Sequence, residues 1–526
     1  MKRIKWFILI FSILLSLSIN LKLVINRDLD YFIKDFKFDF KFIFSSIIIS
    51  IFIYFILLLL FKLLDKIKIN NSELIITENK KILIFFSIFI PTFIYLLVYY
   101  PGVYLNDTYL MLYSPISSSN IHPLFCGLVF FSLFTIFKGL FSPSFAIFCI
   151  SLIQSILSSI VLTYIVVWFN KKIKNKTLTL FLLLYFVLTP IVSNYNMALN
   201  KDGPYSIMFL LFMTLYYEII ESKGKVFSDK KFLLKLIIVS VITSYIRNNG
   251  IYIIIPSIII VLIVFGIKKY YKNVLITLFI ILSLSYIPSF ISKLYKVEYL
   301  KREKYAVPIQ QISYLVKYYP DRLSDDDYEL LDKIIIDSKT TISNKYNVYK
   351  VDEIKFDSNF KDDAFNKYEK DFLLLWFNKL PSNFENYVKS YLLNTYHLWS
   401  IDNLKKNQSV FLEASSFGID EEITISNKVI LPKFIYNLFN GYYKMFNTFI
   451  NPALCFIILL LFNVYYLNKN NKNKKMFLYS IPLILTWLLL MIVSPLSSAL
   501  RYMAVYIYML PIIIFFIINE MRCNYE

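Results

Sequence analysis

Apolar residues along most of this chain come in unbroken runs, without the 3.6-residue period of an amphipathic helix or the alternation of a half-buried strand. "FSSIIISIFIYFILLLLF" (44–61) and "AIFCISLIQSILSSIVLTYIVVWF" (146–169) each match the roughly 20 residues that cross a bilayer. The polar interruptions are of two kinds. One kind is rich in lysine: "KIKINNSELIITENKK" (66–81), "KKIKNK" (171–176), "KGKVFSDKK" (223–231), "KKYYK" (268–272) and "NKNNKNKK" (468–475). The other carries acids, arginines and amides: "YPGVYLNDTY" from 100, "NKDGP" (200–204), "RNNG" (247–250) and "SPLSSALRY" (494–502).

Basic linkers face the cytoplasm. With these and "MKRIK" inside, spans fall near 5–25, 42–64, 82–100, 143–169, 177–194, 205–221, 232–248, 251–267, 274–293, 450–467, 476–494 and 502–519. Both termini are then cytoplasmic, and every interruption of the second kind lies outside. "HPLFCGLVFFSLFTIFKGLF" (122–141) would invert all later linkers if it crossed, so it is expected to be a re-entrant or juxtamembrane helix. The N-terminal apolar stretch is too long for a signal-peptide core and lacks a small-residue cleavage site, so it reads as an uncleaved first span. The expected fold is an all-α polytopic membrane protein of about 12 transmembrane helices.

A polar stretch, 294–449, is the candidate extracytoplasmic segment. In it "LSDDDYELLDKII" (323–335) reads as a capped helix and "FENYVKSYLLNTYHLW" (384–399) as an amphipathic one. The chain divides into 1–81, two N-terminal spans and a linker; 82–293, a membrane module with polar external loops; 294–449; and 450–526, the C-terminal spans.

Composition changes the picture in two places. The net charge of +20 would suggest nucleic acid in a soluble protein, but the lysines sit between spans, where they set orientation. The 4 cysteines are scattered without metal-ligand spacing, and 2 histidines cannot build a histidine-rich metal site. No glycine-rich phosphate loop is present.

The external interruptions supply the candidate chemistry, since ionisable groups gathered at one membrane face mark function by default. Asp107 is a carboxylate able to take a proton from a hydroxyl or to hold a divalent ion near a phosphate; its other reading is a helix N-cap. His122, held out of helix by Pro123, could donate to a phosphate oxygen or a leaving group. Lys201 offers a point charge for phosphate, and Asp202 is a second carboxylate or the cap of the next helix. Arg247 and Arg501 present planar forks for phosphate, against a reading as lipid-headgroup snorkels. His397 with Trp399 reads as an aromatic interface pair. Cations and carboxylates beside the lipid suit a substrate with an anionic head and a long lipid tail.

With "YPG", Asp107 and "HP" in the first external loop, "KDG", "RNNG", "VPIQQISYLV" (307–316), "FENYVKSYLLNTYHLW" and a late "RY", the chain resembles the GT-C glycosyltransferases, and more closely the bacterial membrane family called domain of unknown function 6020, over roughly 95–510. The resemblance implies a GT-C-like helical bundle in a bacterial plasma membrane. It implies transfer of a sugar from a polyprenyl-phosphate donor to an extracytoplasmic cell-envelope glycan or lipid, with inversion. Asp107 would be the base and Asp202 the second acid, assisting a metal or the acceptor, while His122, Lys201, Arg247 and Arg501 would contact substrate. A divalent cation, Mg or Mn, is the cofactor such a site could use, although Asp107 stands alone between Asn106 and Thr108 where many relatives have adjacent acids. A flippase, polymerase or ligase of lipid-linked polysaccharide is the alternative.

Overall fold

The computed structural model describes residues 6–66, 72, 74–266, 270–297, 300–401, 417–418, 424–425, 428, 430–447, 451–469, 475–493 and 500–523. These are almost entirely helical; the strands among them, Phe417–Gly418 and Thr424–Ile425, form one short antiparallel pair. Among the described residues 9 helices are long and apolar enough to cross a membrane: Trp6–Arg27, Phe40–Lys66, Glu78–Val98, Pro143–Ile173, Asp202–Glu221, Asn248–Phe265, Tyr271–Leu294, Lys475–Ile492 and Arg501–Met521. The chain has the architecture of a multi-pass membrane protein.

The stretch expected as one span at 177–194 is a broken pair, Lys176–Leu188 and Pro190–Met197, bent by 61°. Pro190 has no N–H to continue the helical ladder and pushes Thr189 out of the helical region, to φ −81 and ψ 107. The helix Lys230–Ile246 has 17 residues, at the lower end of crossing lengths, and Ala453–Lys469 is also shorter than the nine. Leu124–Leu140, the stretch expected to be re-entrant or juxtamembrane, has 17 residues and packs on Pro143–Ile173 and Asn106–Tyr113.

The N-terminal hairpin and the segment after 300 share one core. Leu21, Ile25, Phe32, Ile33 and Phe36 are buried among Ile309, Ile312, Leu315, Tyr387 and Leu393. The Ile33 carbonyl accepts hydrogen bonds from Tyr319 Oη at 2.7 Å, Tyr314 Oη at 3.3 Å and Lys389 Nζ at 3.4 Å. The first two membrane helices therefore brace the polar segment onto the bundle.

Within that segment the helix Asp325–Ile334 is capped as its sequence predicts: Ser324 Oγ accepts the Asp327 N–H at 3.4 Å, and Asp327 Oδ2 accepts the Ser324 N–H at 2.7 Å. The stretch read as one amphipathic helix at 384–399 is instead two, Phe384–Asn394 and Tyr396–Trp399. Thr395 sits at the break and turns its hydroxyl back onto the Tyr391 carbonyl at 2.7 Å.

Asp202–Glu221, Lys230–Ile246, Ile251–Phe265 and Tyr271–Leu294 follow one another through short connections, the pattern of antiparallel neighbours. Residues 202, 247 and 294 consequently lie at one end of the bundle, and the polar segment leaves from that same end.

Candidate functional site

Two loops are tied together beneath the site. The Leu199 N–H donates to the Val103 carbonyl at 2.7 Å, and residues 104 and 199 form a parallel bridge. Thr108 Oγ1 accepts the Leu105 N–H at 3.0 Å and donates to the Leu199 carbonyl. Thr108 thus caps the helix Asn106–Tyr113, and Asp107, whose capping reading is overturned, sits in the first turn with its carboxylate directed to other partners.

The "NKDG" loop is as specific. Gln154, from the long helix Pro143–Ile173, donates to the carbonyls of Ala198 at 2.7 Å and Asn196 at 3.1 Å, closing the end of Pro190–Met197. Asn200 Oδ1 then accepts the N–H groups of Asp202 at 3.0 Å and Gly203 at 3.2 Å and starts the helix Asp202–Glu221. The cap is Asn200, an Asx turn, so the cap reading of Asp202 is also overturned. A Cβ at Gly203 would lie 2.1 Å from the Tyr195 carbonyl oxygen, so no other residue fits that crossing.

These loops and three helix ends bring together Asp107, His122, Lys201, Asp202, Arg247 and Arg501. Arg501 Nη2 lies 2.9 Å from Asp107 Oδ2, and Lys201 Nζ lies 3.7 Å from the same oxygen. Lys201 Nζ is also 3.0 Å from His122 Nδ1. Arg247 Nη1 donates to Asp202 Oδ1 at 2.9 Å, while Arg501 Nε lies 3.8 Å from Asp202 Oδ2, which receives no hydrogen bond. Arg501 therefore stands between the two carboxylates. Its side chain and that of Asp107 are each 24% exposed, whereas Asp202 is 1% exposed. Of the two acids, only Asp107 can meet a ligand without rearrangement.

Electrostatics follow from this geometry. Burial pushes the Asp107 carboxyl up, but Arg501, Lys201 and His122 outweigh it and hold the group at about 2. Burial, with Lys201 beside it, pushes His122 down to about 4, so the ring is neutral near pH 7. An ammonium has no lone pair to accept with, so Lys201 donates to Nδ1 and the ring proton resides on Nε2, free to donate elsewhere. Lys201, Arg247 and Arg501 supply three positive charges against the two negative charges of Asp107 and Asp202. A surplus of cations around partly exposed groups suits an anion.

That balance bears on a divalent cation. Both carboxylates are already engaged by guanidinium groups, and among the described residues no three His, Cys, Asp or Glu side chains gather as a ligand set. These donors do not fit a resident Mg or Mn.

Several residues at the site were not singled out in the sequence. The Arg247 guanidinium lies 4.2 Å from the Tyr502 ring centroid and 5.6 Å from that of Tyr205, and Arg501 lies 5.4 Å from Tyr502. Such stacking fixes both forks. The "NKDG" pattern carried an Asx-turn signal for Asn200; Thr108 and Gln154 gave none, because a hydroxyl or amide in an apolar run has no periodic signature. His397 is buried in the polar segment against the rings of Tyr396 and Tyr349, at 5.0 and 5.9 Å. Residues 494–499 of "SPLSSALRY" lie outside the described residues.

Residues 100–526 match the family model described as "Family of unknown function (DUF6020)", and every residue of the ionic network falls inside the match. No curated protein and no solved structure matches the chain.

Proposed function

We propose that this member of the DUF6020 family is a membrane glycosyltransferase of GT-C type that moves a sugar from a polyprenyl-phosphate donor to an acceptor at the outer face of the bacterial plasma membrane. The observation that carries the reading is the partly exposed, ionised Asp107 set against Arg501 and Lys201 at 2.9 and 3.7 Å. A carboxylate able to accept a proton and cations able to hold a phosphate meet there at the end of a membrane bundle.

In this reading the donor phosphate takes the Arg501 fork and the Lys201 ammonium. Asp107 loses the partners that hold its carboxyl near 2 and becomes basic enough to act. The acceptor O–H gives its proton to Asp107 while its oxygen forms the new bond to the anomeric carbon. The bond from that carbon to the phosphate oxygen breaks, and its electron pair leaves with the polyprenyl phosphate. Preplaced cations stabilise that growing charge best at a low-dielectric boundary, and single displacement inverts the anomeric centre. His122, with its proton on Nε2, is a further donor to the phosphate. Asp202 is buried and holds Arg247 and Arg501, so its role is positioning rather than contact with acceptor. The wider fold of about 12 spans, with both termini inside and 294–449 outside, belongs to the same proposal.

The test is release of polyprenyl phosphate from a panel of polyprenyl-phosphate sugars by purified protein with acceptor extract. Wild type releases it, and Asp107→Asn loses at least about 10²-fold, the scale of a general base. A wild type inert on every donor, in liposomes where it moves lipid-linked glycans between leaflets, would replace this reading with a transporter.

A further inference from the structure

A cavity of about 870 Å³ lies where Ser117, in the first-loop stretch that separates Asp107 from His122, meets the polar segment. Its wall comes from three distant parts of the chain: Ser117; Tyr295, Lys296, Val297 and Leu300 just beyond the helix Tyr271–Leu294; and 361–364, with Lys361, Asp362, Asp363 and Ala364. The volume falls within the roughly 300–1,000 Å³ of ligand sites, and the lining mixes apolar side chains with charged ones, which suits a ligand that has both C–H faces and hydroxyls.

The lining groups have a shared preference. Tyr295 is 62% exposed and presents a ring face, whose negative quadrupole attracts C–H edges. Carboxylates accept from hydroxyls, and ammonium groups donate to hydroxyl and ring oxygens. Asp362 is engaged by Arg302 at 3.1 Å, leaving Lys296, Lys361 and Asp363 to face the opening with mixed signs. Mixed signs disfavour a dense polyanion and suit a molecule rich in hydroxyls.

The cavity is also coupled to the site. Ser118, next to Ser117, accepts the His122 N–H at 2.9 Å through its carbonyl, and the His122 ring is 3.0 Å from Lys201. Along the chain, Asp107 stands in the first turn of the eight-residue helix Asn106–Tyr113, about 12 Å long, whose other end leads into this loop.

We infer that this cavity binds the acceptor, as the end of a glycan chain whose terminal hydroxyl reaches Asp107 while its preceding sugars rest between Tyr295 and the loop 361–364. The inference rests on the glycosyltransferase reading and gives the polar segment its role: it is one wall of the acceptor groove.

The experiment uses the full chain in lipid nanodiscs and oligosaccharides released from the native cell envelope, labelled at their reducing ends with a diazirine. After photolysis, cross-linked peptides are mapped by mass spectrometry with and without excess unlabelled oligosaccharide, and polyprenyl-phosphate release is followed in the same samples. The expected result is competable labelling of peptides around 292–297 and 361–364. Tyr295→Ala and Lys361→Ala, both at exposed positions, should each cut that labelling and raise the acceptor KM about tenfold, with donor KM and melting temperature unchanged. Absence of competable labelling there, labelling that survives both variants, or labelling by a serine-rich peptide probe in place of the glycan would each overturn the inference. Labelling at the groove without any release of lipid phosphate would instead count against glycosyl transfer and leave the groove standing.

Discussion

Two clusters of buried charge in this molecule look alike in outline and differ in balance. In the polar segment, Lys355, 3% exposed, lies 3.0 Å from both Glu303 and Asp352, and Arg302 pairs with Asp362 at 3.1 Å. Burial works against the Lys355 charge, but Asp352 and Glu303 more than restore it, and its pKa is raised. There, three carboxylates surround two cations, and Arg302 stacks on Phe356 and Phe360 at 4.7 and 5.5 Å. At the end of the bundle the ratio is reversed: Lys201, Arg247 and Arg501 surround Asp107 and Asp202. The first arrangement has more carboxylates than cations and holds loops together. The second has positive charge to spare beside a partly exposed carboxylate, which is what a site awaiting an anion requires.

The contrast breaks most sharply under substitution of the two central cations. Arg501→Met should lower transfer by about 10²- to 10³-fold, the cost of removing a group that stabilises developing charge, with a melting temperature close to wild type. Lys355→Met should do the reverse: it strands two carboxylates and costs on the order of 3 kcal/mol of stability, while the folded fraction keeps its kcat. Thermal melts alongside initial rates check both, and equal rate losses in the two variants would erase the distinction.

Acid sharpens it next. His122 lies at about 4 in the folded chain against an ordinary 6.5, so the unfolded chain takes up that proton first. The corresponding stability is full above about 6.5 and is lost as pH falls toward 4, with an upper bound of about 3 kcal/mol. Asp107, ordinarily at 3.8 and here at about 2, adds a second loss in the same direction between those values. Melting temperatures from pH 7 to 4.5 should fall more steeply for wild type than for His122→Gln. Matching slopes would contradict the placement of the neutral ring beside Lys201. The smallest effect belongs to Tyr502→Leu, which removes the ring under Arg247: about 1 kcal/mol of stability and a loss of transfer of about tenfold.

How much of this was legible beforehand depended on the range of the interaction. Runs such as 44–61 announce membrane helices because length and apolarity are local properties, and "NKDG" announces its turn for the same reason. The six candidate ionisable residues were found because ionisable groups at the ends of apolar runs, gathered on one membrane face, point to function even beside their readings as caps or headgroup contacts. Their pairing was not legible: that Arg501 lies between Asp107 and Asp202 depends on chain separations of hundreds of residues. Pro190 marked a boundary inside 177–194, yet the apolar count on both sides concealed the bend. The insertion of Phe32, Ile33 and Phe36 into the polar segment's core left no trace either, since aromatic residues in a loop between spans read equally well as interface anchors.

The central claim is that the cations at this end of the bundle hold a lipid phosphate, and it is tested most directly by binding. Affinity of polyprenyl phosphate would be measured for wild type, Arg501→Met and Lys355→Met in nanodiscs. The account predicts at least about tenfold weaker binding, some 1.4 kcal/mol, for Arg501→Met alone, with wild-type affinity in Lys355→Met. Undiminished binding by Arg501→Met, or equal weakening in both variants, would contradict it.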